Sequence, residues 1–145
     1  MVVASETSSF SYSEIHVGLI PAIHLIHLPR LVGRYRAFDL LFNGPTFGAR
    51  EALDIGIVSR VVIDADVLTT AWNMAHQLAG RSPSAMRIGR EMFKLVNDYG
   101  FRNNLPHVIN AFAQLSDTED AKEGLRAFVE KRSPQWPSIK TRWDT

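Results

Sequence analysis

The chain has no cysteine among its 145 residues, which excludes a disulfide framework and any zinc site built on thiolates and leaves the redox compartment open. A dominant charge is also missing. Lys plus Arg total 16 against 15 Asp plus Glu, a formal net charge of +1, so there is no broad field to hold a nucleic acid or an anionic membrane. No apolar run approaches the roughly 20 residues that span a bilayer. Met1 to Glu6 carries neither a basic segment nor an apolar core of signal-peptide length, so the expected location is cytoplasmic, with no membrane and no nucleic acid as partner. Gly44 and Gly48 are too sparse for a phosphate-cradling loop, and no Gly-x-Ser-x-Gly elbow accompanies Ser5, Ser8, Ser9 or Ser11. His24 and His27 are three apart on one potential helix face but have no third ligand at metal spacing, so no metal site is expected.

What is present is a chain the size of one ordinary domain with 46% hydrophobic residues, enough to bury a core. Met1 to Ala4 and Ser9 to Ser13 read as two short strands that need further partners. Leu28, Leu31, Val32, Tyr35, Phe38, Leu41 and Phe42 recur at helical spacing, and Asn43-Gly44-Pro45 stops that helix. Thr46 is a cap for a short helix through Leu53 that closes at Gly56, followed by a β-branched strand from Ile57 to Ile63. Asp64 or Asp66 then caps a helix with Leu68, Ala71, Trp72, Ala75, Leu78 and Ala79 on one face.

Ser82-Pro83 opens the next helix, which runs to about Tyr99 and carries two apolar stripes, so it is expected to be covered on more than one side. After Gly100 a separate helix carries Leu105, Val108, Ile109, Phe112 and Leu115. Ser116 to Glu119 reads as a capping box for the last helix, with Ala121, Gly124, Leu125 and Phe128 inward and Lys131-Arg132 at its negative end. Trp136 to Thr145 reads as a tail. No internal repeat or low-complexity linker interrupts the series.

One residue stands out chemically. Glu14 follows the alternation of Phe10 and Tyr12 with serines and precedes Ile15, Val17, Leu19 and Ile20, so a carboxylate is set in an apolar frame where a strand enters a short loop. A carboxylate in such a frame is suited to moving protons near neutrality. The plain alternatives are an exposed loop glutamate or a helix-cap partner.

The segment from Phe10 to Pro21 resembles the F-x-x-P-E-x-x-x-G-x-x-P stretch of the crotonase superfamily, the enoyl-CoA hydratases and isomerases. Further segments match in order: Arg30-Leu31-Val32-Gly33 is similar to R-L-x-G, Phe42-Asn43-Gly44 to L-T-G, Ala49-Arg50-Glu51-Ala52 with Gly56-Ile57-Val58 to A-x-E-A with G-L-V, and Gly124 to Arg132 to the C-terminal E-G-x-x-A-F-x-E-K-R. Two departures stand inside the match: Ser13 replaces the usual proline, and Pro21-Ala22-Ile23-His24 replaces Pro-Gly-x-Gly-Gly.

The resemblance implies an α/β chain, predominantly helical, made of the C-terminal part of a crotonase-like ββα spiral (residues 1–63, with the Glu14 loop) followed by a helical trimerisation region (residues 64–145). It implies an acyl-CoA thioester as substrate, Glu14 as general acid/base, Pro21, Phe112 and Lys131 as substrate-binding residues, no cofactor beyond the coenzyme A of the substrate, and a homotrimer or hexamer. Phe112 and Lys131 would lie near the adenine and phosphates of coenzyme A; read plainly, they are a core aromatic and a helix C-terminal cation. The match begins where the family is already about half finished, so an N-terminal half with the oxyanion-hole segments is expected to be needed. The rival expectation is a non-catalytic oligomerisation or acyl-CoA-binding fragment of the same family.

Overall fold

The computed structural model describes residues 1–140. Two compact units share the chain, one made of Met1–Phe10 with Thr46–Asn103, the other of Ser11–Pro45 with the chain from Asn104 onward.

In the first unit, β1 (Val3–Ser5) pairs in parallel with β4 (Arg60–Val62), and β2 (Ser9–Phe10) pairs antiparallel with β3 (Phe47–Gly48). The strands are shorter than the alternation suggests at both Ser9 to Ser13 and Ile57 to Ile63. Stacking of Phe10 on Phe47, with ring centroids 5.8 Å apart, draws Phe47 into the ladder. The following helix α3 (Ala49–Asp54) therefore starts from Gly48, and Thr46 does not cap it. Ala4, Phe47, Ala49, Ala52, Ile55, Val58 and Met74 are the buried apolar side chains of this unit.

Asp64–Asp66 forms a single 3-10 turn before α4 (Val67–Ala79), and neither aspartate caps that helix with its side chain. The Asp64 carboxylate is engaged instead by the hydroxyls of Ser5 and Thr7, which hold its pKa below the usual range, Ser5 most strongly. Ser82 does accept a hydrogen bond from the N–H of Ala85, opening α5 (Pro83–Ser116).

α5 is one helix of 34 residues rather than the two expected. Gly100, about 1 kcal/mol worse than alanine within a helix, and Pro106, at about 3 kcal/mol, both lie inside it. No residue of α5 is buried. The two apolar stripes, with Met92, Phe93, Leu95 and Val96 all exposed, are thus uncovered by the described residues of this chain. No helix among the described residues is long and apolar enough to cross a membrane.

In the second unit the stretch expected as one helix from Leu28 is two, α1 (Ala22–Val32) and α2 (Arg34–Asn43), which pack on each other. Gly33 separates them with φ 81° and ψ 159°. The break resets the helical phase, so Leu28, Ala37, Leu40 and Leu41 turn inward while Leu31, Tyr35, Phe38 and Phe42 stay exposed. Leu28 and Leu41 are essentially sealed from solvent, each contributing about 1.5–3 kcal/mol of apolar transfer.

α6 (Glu119–Val129) is capped by Thr118, whose side chain accepts from the N–H of Ala121, while Ser116 still belongs to α5. Its inward face is Ala121, Glu123, Gly124 and Ala127; Leu125 and Phe128 are exposed, because Gly124 lies against main chain and no large side chain fits beside it. Lys131, at φ 53°, occupies the left-handed stop after α6, where the N–H of Arg132 reaches the carbonyl of Ala127 and that of Lys131 the carbonyl of Phe128. The expected tail begins as the short α7 (Pro137–Lys140), held by two hydrogen bonds from Ser138 to Asp120; residues 141–145 lie outside the described residues.

Two predictions follow from α6. A Cβ at Gly124 would run into the carbonyl of Val17, so Gly124→Ala should cost about 1–3 kcal/mol in urea unfolding, whereas Gly89→Ala, which meets nothing within 4 Å, should gain about 0.5–1 kcal/mol. A neutral Gly124→Ala would disprove the close approach. The second concerns Glu123, whose carboxylate is held by both terminal nitrogens of Arg132 at 2.6 and 3.1 Å and by the N–H of Gln135 at 2.9 Å. These bonds, those from Arg132 foremost, bring its pKa from 4.5 down to about 2. Folding favours the charged form, so this stability is present above pH 4.5 and is lost as the pH falls toward about 2. Urea midpoints measured from pH 5 to pH 2 should fall less steeply in Glu123→Gln than in the parent chain.

Candidate active site

Glu14 lies in the 3-10 turn Ser13–Val17, which leads out of Tyr12 and closes at Gly18 in the left-handed region, φ 74°. The N–H of Gly18 donates to the carbonyl of Ile15 at 3.2 Å and that of Leu19 to the carbonyl of Glu14 at 3.0 Å. Both neighbours of the turn are fixed. His16 Nε2 is 3.0 Å from the carbonyl of Gly44, at the end of α2, and a Cβ on Gly18 would lie 2.9 Å from the carbonyl of Asp120 at the start of α6. The turn carrying the carboxylate is thereby set between two helices of its own unit.

Pro21 is buried and precedes α1; its carbonyl accepts from the N–H groups of His24 and Leu25 at 2.9 and 3.2 Å, which starts the helix without a side-chain cap. The half-buried Glu14, Pro21 and the first turn of α1 line a cavity of about 410 Å³, closed on another side by Ile109 and Phe112 of α5. Leu19, Ile20 and Ile23 make the rest of the wall mostly apolar, leaving Glu14 and His24 as its two polar side chains.

His24 meets the ring of Tyr12 edge-on, centroids 4.8 Å apart. Burial lowers the pKa of the imidazole below its ordinary value, with the Glu14 charge opposing that shift and His27 adding to it. Burial likewise raises the Tyr12 phenol, and the Glu14 charge raises it further. Both rings therefore feel the Glu14 carboxylate and are neutral around pH 7. His24 Nδ1 is buried with no hydrogen-bond partner among the described residues. A polar atom left so costs about 1–3 kcal/mol.

Of the four residues singled out in the sequence, Glu14, Pro21 and Phe112 share this cavity and Lys131 is not among its lining residues. Phe112, for which the resemblance implies a place beside the adenine, stands here with the carboxylate. Lys131 is exposed and serves as the left-handed stop after α6. His24 and Ile109 were not legible as cavity residues. The signal for His24 was its place in Pro21-Ala22-Ile23-His24, where the family pattern has a glycine; Ile109 is one of several apolar residues on its helix, and spacing alone does not separate them. No group of three or more His, Asp or Glu able to hold a metal occurs among the described residues.

Comparison with known proteins gives the same direction throughout. A Bacillus subtilis protein named "Probable enoyl-CoA hydratase" is 34% identical over 136 residues, which are 92% of this chain and 53% of the relative. The carnitinyl-CoA dehydratase of Salmonella typhi is 31% identical over 140 residues, 93% of this chain and 54% of the relative. The chain thus spans about half the length of the curated relatives it matches. Among solved structures, an enoyl-CoA hydratase/isomerase from Pseudoalteromonas atlantica superposes with a TM-score of 0.88 at 33% identity, over 94% of this chain and 55% of the other. A carnitinyl-CoA dehydratase from Mycobacterium avium gives 0.88 at 31% identity, over 95% and 56%. With the family profile for enoyl-CoA hydratase/isomerase matching residues 1–139, and the crotonase fold shared with these structures, the chain belongs to the enoyl-CoA hydratase/isomerase family.

Proposed function

We propose that the Glu14 cavity receives the acyl end of an acyl-CoA thioester and that Glu14 is its general acid/base. The observation that carries this reading is a half-buried carboxylate in an otherwise mostly apolar cavity of about 410 Å³, room for a short acyl chain but not for the whole coenzyme. Relatives named for hydration of an enoyl-CoA and dehydration of a carnitinyl-CoA support the addition or removal of water as the reaction type.

In such chemistry a proton beside the thioester carbonyl leaves or arrives while negative charge builds on the carbonyl oxygen. Glu14 handles the proton or activates the water. Two aligned N–H donors must meet the oxygen, and losing one costs a factor of about 10²–10³ in rate. We take those donors to come from residues beyond these 145, because the chain corresponds to about half of its relatives. On this reading Pro21 and Phe112 wall the acyl group, and Lys131, exposed and cationic, is available to a coenzyme phosphate.

A second reading, oligomerisation without catalysis, is favoured by the uncovered apolar surface. Trp72 on α4 and Phe93, Val96 and Tyr99 on α5 are 59% to 72% exposed, which suits contacts between copies in a homotrimer or hexamer.

Three outcomes are expected. Calorimetry should detect binding of a short acyl-CoA to the 145-residue chain, weakened about tenfold or more by Phe112→Ala and little changed by Glu14→Gln. The loss of enoyl-thioester absorbance should stay at background for the chain alone and appear, dependent on Glu14, when a family N-terminal half is supplied. Turnover that survives Glu14→Gln would remove Glu14 from the chemistry. Sedimentation should show multiples of 16.3 kDa at micromolar concentration; a clean monomer would count against the oligomer.

A further inference from the structure

At the turn from α4 into α5 a cleft of about 700 Å³ is lined by four cations, Arg81, Arg87, Arg90 and Lys94, against one carboxylate, Glu91. All of it belongs to the first unit, and none of its residues lines the Glu14 cavity. The whole chain has a net charge of +1, so an excess of three positive charges in one cleft is a local feature. Arg87, Arg90 and Lys94 are three and four residues apart on α5 and share a face, where like charges repel one another and weaken the helix that carries them. Glu91 has the spacing to relieve that repulsion from Arg87 or from Lys94. No ion pair joins any of these side chains among the described residues. A bound anion would turn the repulsion into attraction, and a guanidinium fork does this best for phosphate because it meets two oxygens at once.

We propose that this cleft binds a phosphorylated small molecule of nucleotide size, its diphosphate held by Arg87, Arg90 and Lys94 and its organic body resting on the apolar part of the wall. That part is supplied by Leu78 of α4, 39% exposed, and the half-buried Met86 of α5. The volume falls within the range of small-molecule sites, about 300–1,000 Å³. Charge sets the ligand class: a diphosphate carries about three negative charges near neutral pH, which balances the excess in the cleft. The proposal does not rest on the acyl-CoA reading of the Glu14 cavity. Nor is it the phosphate contact read for Lys131, which belongs to the other unit.

The test titrates adenosine diphosphate, inorganic pyrophosphate and adenosine into the 145-residue chain by calorimetry at low salt. Adenosine diphosphate should bind more tightly than pyrophosphate, adenosine should not register, and added salt should weaken both anions. Arg87→Gln and Arg90→Gln should each weaken adenosine diphosphate about fivefold, the upper end for an exposed ion pair, and Glu91→Gln should strengthen it. Arg34→Gln and Arg36→Gln, at exposed positions of α2, change the net charge equally and should leave it unchanged. Equal losses in those two would mean diffuse attraction and overturn the site, as would binding indifferent to Arg87 and Arg90 or no binding at all. Coenzyme A carries the same diphosphate, and its titration separates two sources of the ligand. An affinity that falls in Arg87→Gln and not in Lys131→Ala assigns the cleft to the coenzyme; the reverse, with adenosine diphosphate still held by Arg87, assigns it to a separate phosphorylated molecule. Sedimentation of the same variants tests the other occupant: if Arg87→Gln dissociates an oligomer and the parent binds no adenosine diphosphate, the cations serve a contact between copies and the proposal falls.

Discussion

The placement of Glu14 depends on a close approach of main chain to main chain. The Ser13–Val17 turn lies so near α6 that side chains are excluded at the contact, at Gly124 by the carbonyl of Val17 and at Gly18 by the carbonyl of Asp120. Gly18 is doubly constrained, since its φ of 74° is one that residues with a Cβ rarely adopt. A main-chain contact of this kind has no flexible side chain to absorb a shift, so the turn is located as firmly as α6 itself. Glu123 and Arg132 secure the end of α6, and His16 with the Gly44 carbonyl secures the opposite side of the turn.

Seen this way, the segments that carry the family resemblance have mechanical roles. In the C-terminal segment, Glu123 and Arg132 form a bidentate pair, Gly124 admits the turn, Ala127 is buried, and Lys131 adopts the left-handed stop. None of these side chains lines the cavity, yet together they determine where the carboxylate stands. Gly18 and Pro21 do the same from the other side, one closing the turn and the other starting α1. The cavity that results is apolar in body with two polar groups close enough for the charge of one to be felt by the titration of the other.

The surface of α4 and α5 follows a different constraint. α4 has one buried side chain, Met74, and α5 has none, although both carry apolar stripes at helical spacing. Helices patterned in this way gain their stability by burying that stripe against something, and the described residues of this chain do not supply it. The relatives that this chain matches are about twice its length.

The amino-acid sequence by itself determined the family, the predominance of helix and the absence of thiolate chemistry, because ordered motifs and residue types are local properties. It also located most helices, since apolar spacing survives in the chain regardless of what packs on it. Phase and partnership were decided only in three dimensions. Gly33 rotates α2 relative to the stripe that begins at Leu28, and the carboxylate of Asp64 is taken by Ser5 and Thr7 across the chain from it, so neither the inward face nor the cap could be read from spacing. α6 turned small residues inward because a main chain, not a side chain, lies opposite. His24 became a cavity residue for the same kind of reason: which side chains come to line a wall beside Glu14 is a property of the folded neighbourhood rather than of the residue.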